Sequence, residues 1–174
     1  VLLKKGFSVS GSDITKNDRL TEIAKDGGII FHSQKPQNID LIKKKFKSKH
    51  ITIVISSAIT NKNKELNYCI ENQMTIKHRS EVLSLIMKSF QSIAVAGSHG
   101  KTSTSTLLTT LLDLSTKDTS SIVGGILPRY ESNTIIKKSK YLVAEIDESD
   151  GTTSRYSPYL GIINNIDFDH CDYY

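Results

Sequence analysis

Short runs of β-branched and other apolar residues alternate with longer helix-like segments over the first ninety residues of the chain. The strand-like runs cover residues 7–10, 29–31, 51–55 and 75–77, and the helix-like segments cover residues 17–25, 38–47, 64–72 and 80–88. Strands separated by helices are typical of parallel sheets, because two parallel strands need a long crossover connection. The alternation therefore predicts an α/β fold with a parallel sheet whose faces are covered by helices.

A second unit of the same kind begins after residue 90. A strand-like run at 93–96 leads into a glycine loop and a helix-like segment at 101–114, and two further runs at 141–145 and 160–165 end in polar residues. Open α/β sheets bind their ligands at the carboxyl ends of the strands. We therefore expect a domain boundary near residues 89–92 and functional side chains where these three strands end.

The net charge of +5 arises in the first fifty residues, which hold eleven of the 23 basic residues and five of the 18 acidic ones. Much of this charge lies in the lysine-rich segment 43–49. A basic patch for nucleic acid is one interpretation, and a solvated helix end whose lysines complement the helix dipole is the other. No recognised nucleic-acid-binding module accompanies the segment, so we favour the second interpretation and expect no nucleic-acid partner.

Composition gives the expected compartment. No apolar run reaches the roughly 20 residues that a membrane span needs, and the start of the chain lacks the pattern of a secretory signal, so no membrane partner is expected. The two cysteines, Cys69 and Cys171, have neither redox nor metal-binding spacing, which suits a reducing compartment. We therefore expect a cytoplasmic protein.

The strongest local pattern is a glycine loop that follows an apolar strand and opens a helix. Its residues are Gly97, Ser98, His99, Gly100, Lys101, Thr102 and Ser103. In this context backbone N–H groups and the helix dipole surround a phosphate, a lysine reaches the terminal phosphates, and a threonine hydroxyl ligates Mg²⁺. The general phosphate-loop pattern has a glycine where this chain has Val95, which argues against ordinary kinases and GTPases. His99 is open to two interpretations, a substrate contact or a structural hydrogen bond.

Acidic residues and a histidine follow the next two strands. The acids after the first are Glu145, Asp147, Glu148 and Asp150, and the polar residues after the second include Asp167, Asp169 and His170. Nucleotide-bound Mg²⁺ takes one or two carboxylates, so one of the first four acids is a candidate ligand, with a solvated acidic turn as the alternative. The conjunction of three such motifs at three successive strand ends favours a functional site.

These motifs, in this order, resemble those of the Mur ligases, ATP-dependent amide-forming enzymes of peptidoglycan synthesis. The glycine loop is similar to the family's shortened phosphate loop, and segments 143–151 and 164–170 are similar to its acidic strand end and its histidine motif. Segments 10–13, 56–59 and 79–83 fit its N-terminal domain. The resemblance implies a Rossmann-like UDP-sugar-binding domain at residues 1–90, followed by part of a phosphate-loop ATP-binding domain at residues 91–174.

The resemblance also implies an activity. ATP would phosphorylate the lactyl carboxylate of UDP-N-acetylmuramate, and the amine of L-alanine would attack the resulting acyl phosphate, with ATP and Mg²⁺ as cofactors. A sibling ligase that attaches a recycled tripeptide to the same nucleotide sugar is the alternative within the family. A non-catalytic nucleotide-binding module is the alternative outside it.

Residue roles follow from the resemblance as well. Lys101 and the amides of the loop would hold the β- and γ-phosphates. Thr102 and Glu145 would ligate one Mg²⁺ and His170 a second, so that Lys101, Glu145 and His170 form the implied catalytic set. The weaker implied candidates for the substrate side are Asp13, Ser57, His78 and Arg79.

Departures from the family pattern limit these implications. The family's first strand and glycine-rich turn would precede Val1, and we expect the chain to be a piece of a longer protein that lacks ligase activity by itself. Ser33 and Gln34 stand where the family has a Gly-His or Asn-His pair, so no role is assigned to them. Lys64 replaces a proline expected before Glu65.

Overall fold

A computed structural model of the chain describes residues 1–47, 50–116, 118–147 and 151–167. The chain divides into two compact units, Val1–Arg79 and Ser80–Tyr174. Strands and helices alternate in the first unit, whereas the described part of the second ends in four strands with no α-helix between them. All but one of the strand pairings in the described part of the chain are parallel. The predicted α/β class with parallel sheets is therefore confirmed.

The first unit contains four short strands and three helices. The strands are β1 (Ser10–Ser12), β2 (Ile29–Phe31), β3 (Thr52–Ile55) and β4 (Thr75–His78), and the helices are α1 (Asp18–Lys25), α2 (Pro36–Phe46) and α3 (Lys64–Glu71). Asn17 and Asn63 cap α1 and α3 by accepting the N–H of the residue three positions later, and Pro36 opens α2. The sequence therefore encodes where these helices begin.

The first predicted strand was placed too early. Residues 7–10 were expected to form it, whereas β1 begins at Ser10 and continues to Ser12, because β2 offers only three residues and pairs them with Ser10, Gly11 and Ser12. Gly6, at φ 85°, ends a 3₁₀ turn just before this segment, and Phe7 is 60% exposed. Of the predicted strand at residues 7–10, only Ser10 thus belongs to β1 and pairs with β2.

The strands of the first unit form two separate parallel pairs, β1–β2 and β3–β4. A cavity of about 240 Å³ is lined by every residue of both β1 and β3, with α2 and α3 contributing further residues. Among the described residues of this unit, only Ile42, Leu66 and Cys69 are buried apolar side chains. The unpaired edges of β1 and β3 therefore border an open slot along the thinly packed middle of the unit.

The second unit is one five-stranded sheet with a long helix. It contains helix α4 (Arg79–Met87), which opens on the last residue of the first unit, then β5 (Gln91–Ala96), α5 (Lys101–Thr116), β6 (Thr119–Leu127), β7 (Ser132–Ile135), β8 (Tyr141–Glu145) and β9 (Leu160–Ile163). The strand order is β7-β6-β8-β5-β9, and among the described pairings of this sheet only that of β7 with β6 is antiparallel. β5 and β8 are thereby central strands.

The core of the second unit explains where the units divide. Met87 of α4 is buried with Ala94, Leu142 and Ala144 of the central strands. Helix α4 thus packs on the five-stranded sheet. The compact units therefore separate after residue 79, which is earlier in the chain than the boundary at residues 90 and 91 that the sequence suggested. The domain limits themselves stay a prediction.

Two strands, β6 and β7, were missed by the sequence analysis. β6 opens with Thr119, Ser120 and Ser121, which are fully buried although polar. The hydroxyl groups of Ser121 and of Thr109 in α5 are hydrogen-bonded at 2.9 Å. The Ser120 hydroxyl donates to the backbone carbonyl of Lys137 and accepts its N–H. These hydrogen bonds offset the cost of burying hydroxyl groups, so the strand needs no apolar run.

The described helices include none that is both long enough and apolar enough to cross a bilayer. The longest of these helices is α5, and most of its first ten residues are serine or threonine. Its inward face carries the fully buried Ser105 and Thr109. The helix is therefore suited to packing on a sheet.

Asp113 fastens the end of α5 to the segment around β7. Its carboxylate accepts hydrogen bonds from Lys137 Nζ and the Tyr130 hydroxyl, and from the Thr119 N–H at 3.3 Å. The bond from Lys137, followed by that from Tyr130, lowers the pKa of Asp113, whereas burial and the bond to Asp113 raise the pKa of Tyr130. The ionised carboxylate is thus stabilised in the folded chain.

We expect D113N to be less stable than the wild type at pH 7. A carboxyl group whose pKa is lowered by folding contributes stability above its unfolded pKa, and that contribution is lost as pH falls through the folded value. The difference in unfolding free energy between D113N and wild type should therefore shrink below about pH 4. Urea titrations at a series of pH values measure this difference in unfolding free energy, and Asp118→Asn, at an exposed aspartate, is the control. A difference that does not change with pH would contradict the stabilising role of the Asp113 carboxylate.

Candidate functional site

The glycine loop lies where β5 ends and α5 begins. β5 stops at Ala96, the loop covers Gly97 to Gly100, and α5 opens at Lys101. Gly97 and Gly100 have φ angles of 129° and 78°, which side chains rarely adopt, so both positions favour glycine. The predicted sequence of strand, glycine loop and helix is thus present, with the N–H groups of the first helical turn directed at the loop.

Lys101 folds back over the loop. Its Nζ donates hydrogen bonds to the carbonyl oxygens of Gly97 at 2.6 Å and of Ser98 at 3.3 Å. The side chain is half-buried, while Ser103, two residues further along the same helix, is exposed. The ammonium group therefore lies among the backbone groups of the loop, where an anion held by that loop would meet it.

Glu145 joins the helix to the sheet at the carboxyl end of β8. Both of its carboxylate oxygens lie 3.1 Å from Oγ1 of Thr102, the second residue of α5. Oε2 also accepts the backbone N–H of Gly124 at 2.8 Å. A hydroxyl and a carboxylate at this spacing form the oxygen-donor pair that a hard cation such as Mg²⁺ takes from a protein. The structure thus brings the predicted pair together.

The end of β9 holds the loop from the other side. The side-chain amide of Asn165 pairs with the peptide groups of His99, since Oδ1 accepts the His99 N–H at 2.8 Å and Nδ2 donates to the His99 carbonyl at 3.1 Å. Asn164 Nδ2 donates to the same carbonyl at 3.2 Å. No role of their own was assigned to these asparagines from the sequence. An asparagine side chain can nevertheless both donate and accept hydrogen bonds, as pairing with the peptide groups of another residue requires.

Glycine at position 97 is required by this approach. A Cβ there would lie 3.0 Å from the carbonyl oxygen of Asn165 and 3.2 Å from Cβ of Asn164. The N–H of Ser98 faces the same carbonyl at 3.4 Å, and the Ser98 hydroxyl accepts the N–H of Asp167 at 3.1 Å. His99 Nε2 lies 3.9 Å from the Asp167 carboxylate, but both side chains are exposed, so this pair adds little.

Part of the predicted set lies outside the described residues. His170 belongs to segment 168–174, and Glu148 and Asp150 belong to segment 148–150. Within the ranges that the structure describes, no group of three or more histidine, cysteine, aspartate or glutamate side chains is placed to hold a metal ion. Thr102 and Glu145 are therefore the members of the predicted metal-binding set that lie within the described residues.

The weaker substrate candidates lie in the first unit. The Ser57 hydroxyl and His78 Nε2 are 3.0 Å apart, at the ends of β3 and β4, and Arg79 follows at the start of α4. Asp13 follows β1, and its Oδ1 accepts the N–H of Thr15 at 2.8 Å. The structure thus joins Ser57 and His78 directly and places Asp13 at the end of the other strand pair.

A polar network that the sequence did not reveal lines the slot of the first unit. Glu65 accepts hydrogen bonds from the Ser12 hydroxyl and, at 2.9 Å, from Nδ2 of buried Asn38. Gln34, to which no role was assigned, accepts Nδ2 of Asn63 at 2.8 Å. The network links the end of β1 to α2 and α3, and the N-cap asparagine before Glu65 was its one signal in the sequence.

Comparison with known protein families matches the chain to two models. Residues 1–91 match the model described as "Mur ligase family, catalytic domain", and residues 95–174 match the "Mur ligase middle domain". Together these matches cover nearly the whole chain. The geometry around the glycine loop and Glu145 therefore lies in the part matched by the middle-domain model.

Two similar curated proteins carry the same name. A UDP-N-acetylmuramate–L-alanine ligase of Prochlorococcus marinus subsp. pastoris is 57% identical over 173 residues, and one of Synechococcus sp. (strain CC9605) is 42% identical over 174. These matches cover 99% and 100% of this chain, but 37% of each relative. The chain thus spans little more than a third of the length of the relatives it matches.

Solved structures support the fold. A UDP-N-acetylmuramate:L-alanyl-gamma-D-glutamyl-meso-diaminopimelate ligase from Neisseria meningitides superposes with a TM-score of 0.87 at 21% identity, covering 100% of this chain and 57% of that one. A UDP-N-acetylmuramate-alanine ligase from Thermotoga maritima gives 0.86 at 25% identity, covering 99% and 39%. At the lower identity the likeness concerns the fold alone.

We expect N165A to weaken ATP binding about thirtyfold, because the two hydrogen bonds that hold the His99 peptide groups are worth about 1 kcal/mol each, or about 2 kcal/mol together. The measurement is calorimetric titration with ATP. I166A removes the neighbouring side chain, which is 88% exposed, and serves as the matched control. An N165A affinity equal to that of I166A would show that the amide does not hold the loop.

Proposed function

This chain belongs to the Mur ligase family, and on that premise we propose that it forms the front part of an ATP-dependent ligase that joins L-alanine to UDP-N-acetylmuramate. In this proposal residues 1–90 bind the nucleotide sugar and residues 91–174 bind ATP. The observation that carries it is the placement of Thr102 Oγ1 3.1 Å from both oxygens of Glu145, directly after Lys101, which opens the helix that follows the glycine loop.

The chemistry explains why such a ligase needs this loop. A carboxylate is a poor acylating group, because its oxygen is a poor leaving group. Phosphorylation converts that oxygen into part of a phosphate, which is a good leaving group. Phosphoryl transfer asks a protein mainly for positioning and for neutralisation of charge. Lys101 and the loop N–H groups meet those needs for the β- and γ-phosphates of ATP.

The donor set also fits Mg²⁺, which binds oxygen ligands and would neutralise phosphate charge when bound. Thr102 supplies a hydroxyl and Glu145 a carboxylate. We assign both to one ion, and His170, which lies outside the described residues, to a second. The catalytic set in this proposal is therefore Lys101, Glu145 and His170, with Gly97, Ser98, His99, Gly100 and Ser103 completing the nucleotide-binding loop.

Asp13, Ser57, His78 and Arg79 are the proposed contacts to the nucleotide sugar. Each lies at or just after the carboxyl end of a strand of the first unit, or opens the helix that follows. Open α/β sheets bind nucleotides at this edge. The cytoplasm, where nucleotide sugars and ATP meet, is the proposed location.

The slot between β1 and β3 supports a further part of the proposal. Two parallel pairs whose unpaired edges line one cavity leave room for a strand, which would give the doubly wound order β2-β1-strand-β3-β4. We assign that place to the strand and glycine-rich turn that precede β1 in the family. Because the chain spans little more than a third of the length of the curated relatives that it matches, no turnover is expected from it by itself.

The acceptor separates the two family alternatives. Eight curated relatives, at 40% to 57% identity, are named as L-alanine ligases, whereas two solved peptide ligases are 21% and 22% identical and therefore support only the fold. L-Alanine is the better supported acceptor. The non-catalytic alternative predicts nucleotide binding without turnover in any form of the protein.

Phosphate release from ATP by the complete protein that contains this chain tests the proposed function. We expect release that requires both UDP-N-acetylmuramate and L-alanine, because the acyl phosphate forms on the sugar and is consumed by the amine. Turnover with the tripeptide and none with L-alanine would select the sibling ligase. ATP binding without turnover under either condition would select the nucleotide-binding module.

K101A should lower kcat in the same assay by about a thousandfold, since it removes a charge held at the transferring phosphoryl group. Lys138→Ala, which removes an exposed lysine of the same unit, is the matched control and should leave kcat unchanged. Thermal unfolding of both variants checks that they fold. A folded K101A that retains the wild-type rate would contradict the proposed role of the loop.

A further inference from the structure

β6 carries two adjacent glycines, Gly124 and Gly125, just past the point where it stops pairing with β8. Its last parallel partner pair is Ile122 with Ala144, the residue before Glu145. On its other side, the register with β7 shifts between Ile122 and Leu127. The glycines therefore lie in an irregular stretch of strand, and glycine inside a strand often marks a place where another group approaches closely.

Each glycine faces one of the two proposed metal-binding side chains. A Cβ on Gly125 would lie 2.8 Å from Cγ2 of Thr102, and a Cβ on Gly124 would lie 3.1 Å from Oε1 of Glu145. Neither glycine has a positive φ, so alanine could adopt the backbone conformation at both positions. The neighbouring side chains, and not the backbone, therefore exclude a larger residue.

The contact at Gly125 decides where the Thr102 hydroxyl points. A threonine in a helix divides between two χ1 rotamers. With Cγ2 seated on Gly125, Oγ1 lies 3.1 Å from both oxygens of Glu145. An added methyl group at position 125 would push Cγ2 away and turn the hydroxyl with it.

The contact at Gly124 fixes the other partner. Its N–H donates to Oε2 of Glu145 at 2.8 Å, which holds the carboxylate with both of its oxygens 3.1 Å from the Thr102 hydroxyl. One short stretch of β6 thus orients both side chains, one by shape and one by a hydrogen bond.

We propose that Gly124 and Gly125 are positioning residues for the Mg²⁺·ATP site. Gly125 makes room for the Thr102 methyl group, and the Gly124 N–H orients the Glu145 carboxylate. The inference rests on the proposed roles of Thr102 and Glu145. Groups that orient metal ligands typically change metal affinity 10- to 100-fold, or about 1.4 to 2.7 kcal/mol, when they are altered.

Binding of Mn²⁺ in the presence of ATP, measured by electron paramagnetic resonance of the free ion, tests this inference on the complete protein. G125A should raise the Mn²⁺ dissociation constant by about 10- to 100-fold. G161A is the matched control, because a Cβ added at Gly161 in β9 meets no heavy atom within 4 Å. It should leave the dissociation constant unchanged.

T102S is the decisive second variant, because serine keeps the hydroxyl and lacks the methyl group. In the T102S background the clash with position 125 is absent, so G125A should add little to the dissociation constant. The double-mutant cycle is therefore expected to be strongly non-additive. Thermal unfolding of each variant shows whether a loss of binding is a loss of folding.

The outcomes separate the inference from the proposed function. Wild-type affinity in G125A would overturn the inference, as would a G125A defect of the same size in the T102S background or a failure of both variants to fold. Recovery of folding or of binding by T102S would support it. Absence of ATP-dependent Mn²⁺ binding in the wild-type protein would overturn the proposed function, and the inference with it.

Discussion

The parallel pairing of β5 with β8 on one side and β9 on the other is the constraint on which the candidate site depends. Because the three strands run in the same direction, their carboxyl ends meet at one edge of the sheet. Gly97, Glu145 and Asn164 each follow or end one of these strands. The fully buried Val95, Leu142 and Val143 hold the central pair together, so the packing of the core and the geometry of the site have a common cause.

The groups around the glycine loop are oriented largely by backbone atoms. Lys101 bonds two loop carbonyls, Asn165 bonds both peptide groups of His99, and Glu145 accepts the N–H of Gly124. Backbone partners are fixed by the fold, so each side chain loses little further freedom when a ligand arrives. This is the preorganisation that electrostatic stabilisation of a transferring phosphoryl group requires.

Much of this arrangement could be predicted from the sequence, because strong local patterns carried it. β-Branched runs placed most strands, and the strand, glycine loop and helix from 93 to 114 placed Lys101 and Thr102. β6 and β7 could not be found, because the buried Thr119 and Ser121 are polar and their hydrogen-bond partners lie far along the chain. Contacts between residues far apart in the chain leave no periodic pattern in the sequence. The contacts of Gly125 with Thr102 and of Asn165 with His99 could not be predicted for the same reason.

The proposed function requires the glycine loop to hold the phosphates of ATP while Thr102 and Glu145 hold its metal ion. A crystal structure of the protein with a non-hydrolysable ATP analogue and Mg²⁺ tests this most directly. The account predicts the β-phosphate against the N–H groups at the start of α5, and a metal ion about 2.1 Å from Thr102 Oγ1 or a Glu145 oxygen. Phosphates bound elsewhere, or a metal ion that contacts neither side chain, would contradict it.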